Sequence, residues 1–252
     1  MATFTWKGSY GFDMWSYSLS GLAYGDGYSR STTKFAVRYG SSWSTRDEFR
    51  GAGFAYDADG VPISGTVKSY AGYIDGRQIS SITGAKVAAT TLVSAAATSS
   101  TSDDLRVFRS ILSKNDVVKG GKYDDTLYGF NGKDKLIGGR GDDFLYGGKG
   151  ADRFVFQSVR DSSVADGDII MDFSRTQRDK VDLRIIDANT AARGNQAFKF
   201  IGTSEFSNKA GELRYFGTDG VVVEGDTNGD GQADFSLYLA DISKVYKSYF
   251  IL

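Results

Sequence analysis

The spacing of hydrophobic residues changes along the chain. Up to about residue 80, short stretches alternate apolar and polar positions, with glycines between them. Examples are Trp15, Tyr17 and Leu19, and Phe35, Val37 and Tyr39. Such alternation predicts strands with one buried face, arranged as a small antiparallel sheet or sandwich. From about residue 114 the period becomes nine, so a mainly β protein with two different regions is predicted.

A helical spacing separates the two regions. An Ala-rich segment runs from Val87 to Ala97, and the acidic pair Asp103 and Asp104 then begins a run with one apolar face. That face comprises Leu105, Phe108, Ile111 and Leu112. Polar and acidic residues before such a run are typical of a helix N-terminus. One or two helices are predicted, and we expect them to cap the open end of the second region, where strands would otherwise lack partners.

The nine-residue repeat is clearest over residues 120–155. It reads GGKYDDTLY, GFNGKDKLI, GGRGDDFLY and GGKGADRFV, which follows the pattern GGxGxDxUx, where U is a large apolar residue. Each unit supplies a glycine turn and a short strand. If two units complete one turn of a parallel β-roll, residues 18 apart stack at about 4.8 Å. The predicted core comprises Val118, Leu127, Leu136, Leu145 and Phe154.

The sixth position of each unit is aspartate, so stacking brings aspartates together. The predicted pairs are Asp116 with Asp134, Asp125 with Asp143, Asp134 with Asp152, and Asp143 with Asp161. Such carboxylates repel one another unless a cation lies between them. Calcium suits this role because it accepts six or more oxygens, including loop carbonyls, whereas Mg²⁺ demands a small octahedron. Ordinary glycine turns without metal are the alternative, and the common register of the carboxylates argues against it.

Several calcium ions are therefore predicted in the roll. The predicted ligands are the repeat aspartates and the loop glycines Gly121, Gly132, Gly139, Gly141, Gly148 and Gly150. A second candidate loop places oxygen-bearing side chains at the spacing of an EF-hand, at Asp226, Asn228, Asp230 and Asp234. Its twelfth position is Leu237 in place of Glu, which excludes a complete EF-hand. Calcium is predicted there too, with a hydrogen-bonded hairpin as the alternative.

The amino-acid composition excludes several kinds of catalytic and metal site. The chain has no His and no Cys, which excludes disulfides, Ser-His-Asp hydrolysis and hydrolysis by zinc-bound water. Asp supplies 27 of the 31 acidic residues, and short carboxylates suit tight loops around a hard cation. A net charge of −1 gives no attraction to nucleic acid. No apolar run approaches the roughly 18 residues that span a bilayer, so neither a membrane span nor a Sec leader is expected.

The repeats resemble those of the repeat-in-toxin (RTX) family of calcium-binding proteins. The residues after them resemble the C-terminal domain of serralysin-type (peptidase M10) secreted metalloproteases. The similar segments are 150–156, 168–173, 179–183, 209–215 and 225–235, and the resemblance covers roughly 114–252. It does not include the protease domain, because the zinc-binding His-Glu-x-x-His helix requires His.

The resemblance implies further ligands and a route of export. In that family, aspartates after the roll also bind calcium, which by position implicates Asp161, Asp168 and Asp179. It implies export from a Gram-negative bacterium by a three-component type I (ABC transporter) apparatus that reads an uncleaved C-terminal signal. Such signals often end in an acidic residue and a few apolar ones, whereas residues 248–252 read SYFIL without the acid. An extracellular location is expected, and a final strand at these residues is compatible with export.

We therefore predict four regions. They are a β-rich domain of unknown ligand at 1–100, a capping helix or linker at 101–113, the RTX roll at 114–161, and a serralysin-like cap with the secretion signal at 162–252. The predicted function is non-catalytic calcium binding outside the cell, with an N-terminal domain that binds a glycan or another surface ligand. The alternative is an enzyme that degrades polysaccharide through two carboxylates. Its candidates are Asp13, Asp26, Asp47, Glu48, Asp57 and Asp59.

Overall fold

The structure is a computed structural model that describes residues 1–252. Strands β1–β6 are Thr3–Trp6, Gly27–Arg30, Lys34–Arg38, Arg46–Tyr56, Pro62–Ile74 and Arg77–Ala88. Helices α1 and α2 are Ala89–Ala96 and Thr101–Ile111. Strands β7–β13 are Val117–Lys119, Thr126–Tyr128, Lys135–Ile137, Phe144–Tyr146, Arg153–Val155, Asp168–Ile170 and Lys180–Asp182. Strands β14–β18 are Lys199–Gly202, Glu212–Phe216, Val221–Asp226, Phe235–Leu239 and Phe250–Ile251.

The nine-residue repeats form a parallel β-roll, as predicted. Strands β7, β9, β11 and β13 pair in one sheet, and β8, β10 and β12 pair in the other. Leu127 lies opposite Leu145, 18 residues later, so two units complete one turn. The five predicted core residues are at most 1% exposed, and burying each such side chain contributes about 1.5–3 kcal/mol. The mainly β fold class is confirmed.

The N-terminal region is an antiparallel sheet with the strand order β1, β6, β5, β4, β3 and β2. Phe35 and Val37 lie in β3, as their alternation predicted. The other alternating stretch, residues 15–19, is not a strand: it is irregular and leads into a 3₁₀ helix at Ser20–Ala23. The alternation of apolar residues there does not mark one buried face of a strand: Tyr17 packs against Phe12, while Trp15 is 57% exposed.

The two predicted helices are present, and α2 packs beside the first coil of the roll. Phe108 of α2 meets Phe4 and Phe12 with ring centroids 6.1 and 6.3 Å apart. Helix α2 begins at Thr101, slightly before the predicted acidic pair, and its first turn contains Asp103 and Asp104. These acidic side chains favour the helix N-terminus, where the helix dipole is positive. The apolar end of the roll core is thereby covered.

The backbone edge of the roll is paired by the N-terminal segment and not by the helices. Strand β1 runs parallel to β7, with Thr3 opposite Val117, and Asp13 forms a parallel bridge with Thr126. Residues 3–14 thus add one coil to the roll without carrying the repeat. Because β1 also pairs with β6, one sheet runs from the roll into the N-terminal region. The division of the chain into four regions stays a prediction. This sheet joins strands on both sides of residue 100, where the first predicted boundary lies.

The far end of the roll is completed by C-terminal strands. Strand β17 pairs with β12 in one sheet and β18 pairs with β13 in the other, both in parallel. Strands β14, β15 and β16 extend the β17 sheet outward. Parallel strand pairing like that of the roll therefore continues well past residue 161, the predicted end of the roll. Neither helix has the length and apolar character needed to cross a bilayer.

Candidate calcium site

The repeat aspartates form a hydrogen-bonded ladder on one side of the roll. The backbone N–H of Asp116 donates to Oδ1 of Asp134 at 2.7 Å. The N–H of Asp134 donates to Oδ1 of Asp152 at 2.8 Å, and that of Asp152 donates to Oδ1 of Asp179 at 2.9 Å. Each carboxylate is thus oriented by the backbone of the coil before it. The structure brings these four predicted residues together, Asp179 included.

The second ladder lies on the opposite side and differs from the prediction at one residue. The N–H of Asp125 donates to Oδ1 of Asp143 at 2.7 Å, and that of Asp143 donates to Oδ1 of Asp168 at 3.1 Å. The predicted pairing of Asp143 with Asp161 is therefore wrong. Asp161 instead accepts from the N–H groups of Gln157 and Ser158 and caps a short 3₁₀ helix. The segment after β11 is longer than one repeat, which moves the stacking position to Asp168.

Both ladders end at apolar residues of the N-terminal coil. The N–H of Ala2 donates to Oδ1 of Asp116, and the N–H of Phe12 donates to Oδ1 of Asp125 at 2.6 Å. Ala2 and Phe12 thus occupy ladder positions without supplying a carboxylate. Sequence reasoning missed these two residues because the N-terminal coil carries none of the repeat pattern. The two columns of carboxylates therefore end at Asp116 and Asp125.

Four ladder carboxylates each keep one buried oxygen without a hydrogen-bond donor. They are Oδ2 of Asp134, Asp143, Asp152 and Asp168. A buried carboxylate oxygen without a partner is costly, so each of these atoms requires a proton or a cation. The first glycine of each repeat lies against the same oxygen: a Cβ on Gly129 or Gly147 would come within 2.8 or 2.7 Å of it. The loops thus leave space beside these oxygens that any other residue would fill.

Burial also shifts the titration of the ladder carboxyls. Desolvation raises the pKa of Asp125 to about 6 and those of Asp134 and Asp152 to about 7. It raises the pKa of Asp143 to about 8, with the neighbouring carboxylates adding to the effect. The pKa of Asp168 rises for the same two reasons. Hydrogen bonds from backbone N–H groups oppose these shifts without removing them. Ionised carboxylates at these positions therefore need a positive charge close by.

The loop glycines bring backbone carbonyls close to the ladders. Five of the six predicted glycines have positive φ angles, between 87° and 141°, and Gly121 is the exception. A Cβ on Gly150 would collide with the carbonyl oxygen of Gly132 in the preceding loop of the same column. Gly150 therefore permits both the left-handed backbone and the close stacking of loops. Phe130 occupies a second-glycine position with φ of 70°, which is unusual for a bulky residue.

The donor set fits calcium. No three acidic side chains come together closely enough to hold a cation by themselves. Paired aspartate oxygens and stacked loop carbonyls together supply the oxygen-only shell that Ca²⁺ prefers, and no nitrogen or sulfur ligand is present. The residues that would hold the ions are the ladder aspartates and the loop glycines predicted above. Bound calcium would supply positive charge to carboxylates that the fold has removed from water.

The calcium-free chain is expected to lose stability as pH rises from about 4 to about 8. A carboxyl whose pKa is raised on folding stays protonated in the fold when the unfolded chain, with a pKa of about 3.9, is already ionised. Its stabilising effect is complete below the unfolded pKa and is lost as pH rises through the folded pKa, about 6 to 8 for Asp125, Asp134, Asp143 and Asp152. Thermal melting in EDTA across this range measures it. A melting temperature that rises steadily with pH in EDTA would contradict the expectation.

The second candidate loop joins β16 to β17 and is internally hydrogen-bonded. Asp226 Oδ1 accepts from the N–H of Gly229 at 2.6 Å, and its Oδ2 accepts from Gly231 at 3.0 Å. Asn228 Nδ2 donates to carboxylate oxygens of Asp230 and Asp234, both at 3.2 Å. The four predicted side chains therefore lie together, but the buried oxygens of this loop have donors, unlike those of the ladders. This geometry matches the hairpin alternative, and calcium binding here stays a prediction.

Comparison with known proteins agrees with the geometry of the C-terminal half. A family model of the RTX calcium-binding nonapeptide repeat (four copies) matches residues 112–145, and one of the peptidase M10 serralysin C-terminal domain matches residues 132–245. No curated protein matches the chain. Among solved structures, it is similar to the AlgE6R3 and AlgE6R2 subunits of the Azotobacter vinelandii mannuronan C5-epimerase, each at 25% identity. The TM-scores are 0.37 and 0.38, over 55% and 54% of this chain and 73% and 80% of those chains.

The two matched families agree with the repeat pattern and with the segments after it. Both families are associated with secreted proteins and with type I secretion. The RTX repeats bind calcium, which supports Ca²⁺ as the ion of the roll. Residues 112–245 of this chain are therefore similar to the RTX calcium-binding repeats and to the serralysin C-terminal domain, two families of secreted proteins.

Proposed function

We propose that the chain is an exported, non-catalytic calcium-binding protein whose C-terminal half folds when it reaches calcium outside the cell. The observation that carries this proposal is the set of four buried carboxylate oxygens without donors in the stacked ladders. At low calcium their mutual repulsion and desolvation oppose folding and leave the repeats extended for transport. At millimolar calcium, ions that bind only the folded state shift the equilibrium toward the roll.

Export by a type I apparatus is part of the same proposal. The last residues form strand β18, and Tyr249 and Phe250 are buried against the domain. Phe250 contacts Phe200, with ring centroids 5.6 Å apart. A transporter that reads these side chains must therefore do so before the domain folds. Calcium-dependent folding would delay this burial until the chain has left the cytoplasm.

We assign a binding role, without catalysis, to the N-terminal region. The adjacent acids Asp47 and Glu48 point to opposite faces of β4, as neighbours in a strand do. Glu48 is neutralised by Lys34 at 3.1 Å and Arg50 at 2.7 Å. Asp47 accepts hydrogen bonds from the hydroxyls of Tyr39 and Tyr70. Neither arrangement provides the pair of facing carboxylates that glycoside hydrolysis requires, which supports binding over hydrolysis.

The surface of the N-terminal region also leaves room for a glycan partner. Trp6 is buried, but Trp15 and Trp43 are exposed, and Tyr24 is the most exposed of the large aromatic residues. Exposed aromatic rings provide flat apolar surface next to polar groups. Glycan binding at these side chains stays a prediction.

Calcium titration of the full chain tests the proposed function. We expect saturable binding of several Ca²⁺ ions by isothermal calorimetry at pH 7.5, accompanied by an increase in β signal in the circular dichroism spectrum. Mg²⁺ at the same concentration is the matched control and is expected to produce neither effect, because Mg²⁺ demands a small, nearly ideal octahedron and keeps several of its waters. Equal responses to the two ions, or no binding of Ca²⁺, would overturn the proposal.

A further inference from the structure

A cavity of about 330 Å³ lies between the N-terminal sheet and helix α1. One wall is formed by Phe35, Phe49, Phe54 and Val67 from strands β3, β4 and β5. Thirteen of its seventeen lining residues are hydrophobic. Small-molecule sites have this size and character: mostly apolar walls with a few polar groups that orient the ligand. The cavity lies apart from the calcium ladders, and no family match covers it.

The cavity exists because α1 presents small side chains to the sheet. The lining residues of this helix are Ala89, Leu92, Val93 and Ala96, which follow the spacing of one helical face. Two of these four positions are alanine, so the helix leaves space that leucine would fill. Protein interiors hold few voids larger than a water molecule. An apolar space of this size that opens to solvent is unusual for core packing and has the size of a small-molecule site.

One cation, the exposed side chain of Arg30, stands at the mouth of the cavity. Arg30 Nε donates to the carbonyl oxygen of Gly60 at 2.7 Å, and the guanidinium carbon lies 5.0 Å from the ring centroid of Tyr28. These contacts hold the guanidinium in place, while its two Nη groups make no hydrogen bond or ion pair within the chain. Asp59 also lines the cavity but forms no ion pair with Arg30. The two Nη groups of Arg30 are thus available to a carboxylate, which they can bind through two parallel hydrogen bonds.

We propose that this cavity binds a free, single-chain carboxylate amphiphile, with the hydrocarbon chain between α1 and the sheet and the carboxylate on Arg30. An apolar cavity of about 150 Å³ holds benzene, so this one holds a ligand of roughly twelve non-hydrogen atoms, the size of decanoate. A sugar fits poorly, because the apolar walls leave its hydroxyls without partners. This inference deepens the binding role proposed for the N-terminal region and does not depend on the calcium ladders.

Calorimetric titration of the calcium-loaded full chain with decanoate, below its micelle-forming concentration, tests the cavity. Wild type is expected to bind one decanoate saturably. Val93→Phe fills the cavity from α1 and is expected to weaken binding by about tenfold or more, or ~1.4 kcal/mol. Ser94→Phe places the same ring on the exposed face of α1 and is the matched control, expected to bind as wild type. No saturable binding by wild type, or equal binding by both variants, would overturn the cavity proposal.

Decanol and Arg30→Gln test the recognition of the carboxylate. Decanol has the same chain without the charge, and Arg30→Gln keeps polarity at the cavity without the cation. Arg30→Gln is expected to weaken decanoate binding several-fold and to leave decanol binding unchanged. If wild type binds both ligands equally and the variant changes neither, Arg30 does not bind the headgroup and the carboxylate assignment fails. Calcium binding is measured on the same samples, so failure of the cavity is distinguishable from failure of the proposed function.

Discussion

Chelation of calcium is expected to unfold the C-terminal half of the chain. An ion at 100 times its dissociation constant stabilises the fold by about 2.7 kcal/mol, so three such sites contribute roughly 8 kcal/mol. In a chain of this size, 1 kcal/mol shifts the melting temperature by about 2–4 °C. Transfer from millimolar calcium to EDTA is thus expected to lower it by about 15–30 °C. The physical reason is the unpartnered oxygens of the ladders, which lose their compensating charge.

Circular dichroism and tryptophan fluorescence together measure this unfolding. The β signal comes from both halves of the chain, whereas all three tryptophans lie in the first 43 residues and report on the N-terminal region. Trp6 is a specific probe of the junction, because β1 pairs with β7 of the roll and with β6 of the N-terminal sheet. Addition of Mg²⁺ to the EDTA sample is the control and is expected to restore neither signal. An unchanged β spectrum and melting temperature in EDTA would contradict calcium-dependent folding.

Asp134→Asn is expected to destabilise the chain in calcium but not in its absence. Asp134 lies in the middle of its ladder, with Asp116 before it and Asp152 after it. Asparagine keeps the Oδ1 acceptor for the N–H of Asp116 but removes the charge that would serve two adjacent ions. We expect calcium affinity to fall by about tenfold or more, or ~1.4 kcal/mol, with a lower melting temperature in calcium.

In EDTA at pH 8 the same variant is expected to melt no lower than wild type. Burial raises the pKa of Asp134 to about 7, so at pH 8 the wild-type carboxylate is mostly ionised in a site that disfavours its charge. The neutral amide avoids that cost. Asp219→Asn removes the same charge from an exposed loop and is expected to change neither melting temperature. Equal destabilisation by Asp134→Asn in calcium and in EDTA would show that Asp134 only supports the fold.

Local repetition explains why the roll was predictable. A strand, a turn and an inward apolar residue recur every nine positions, so the register of residues 18 apart follows from the period alone. The core residues and the first members of each ladder, from Asp116 to Asp152, therefore follow from the sequence alone. Where the segment after β11 departs from the period, the period pairs Asp143 with Asp161, but the structure pairs Asp143 with Asp168, which only the family resemblance implicated. Periodicity determines stacking only as long as it is unbroken.

The sequence by itself determined the mainly β fold, the parallel roll, its core and the oxygen-rich chemistry of its loops, because these depend on neighbours in one repeating unit. Only the tertiary structure decided the pairing of residues 3–14 with the first coil, the ladder ends at Ala2 and Phe12, and the cavity under α1. Each of these depends on contact between segments far apart in the chain that share no repeat. Such contacts are selected by the packing of the complete fold, which no local pattern encodes.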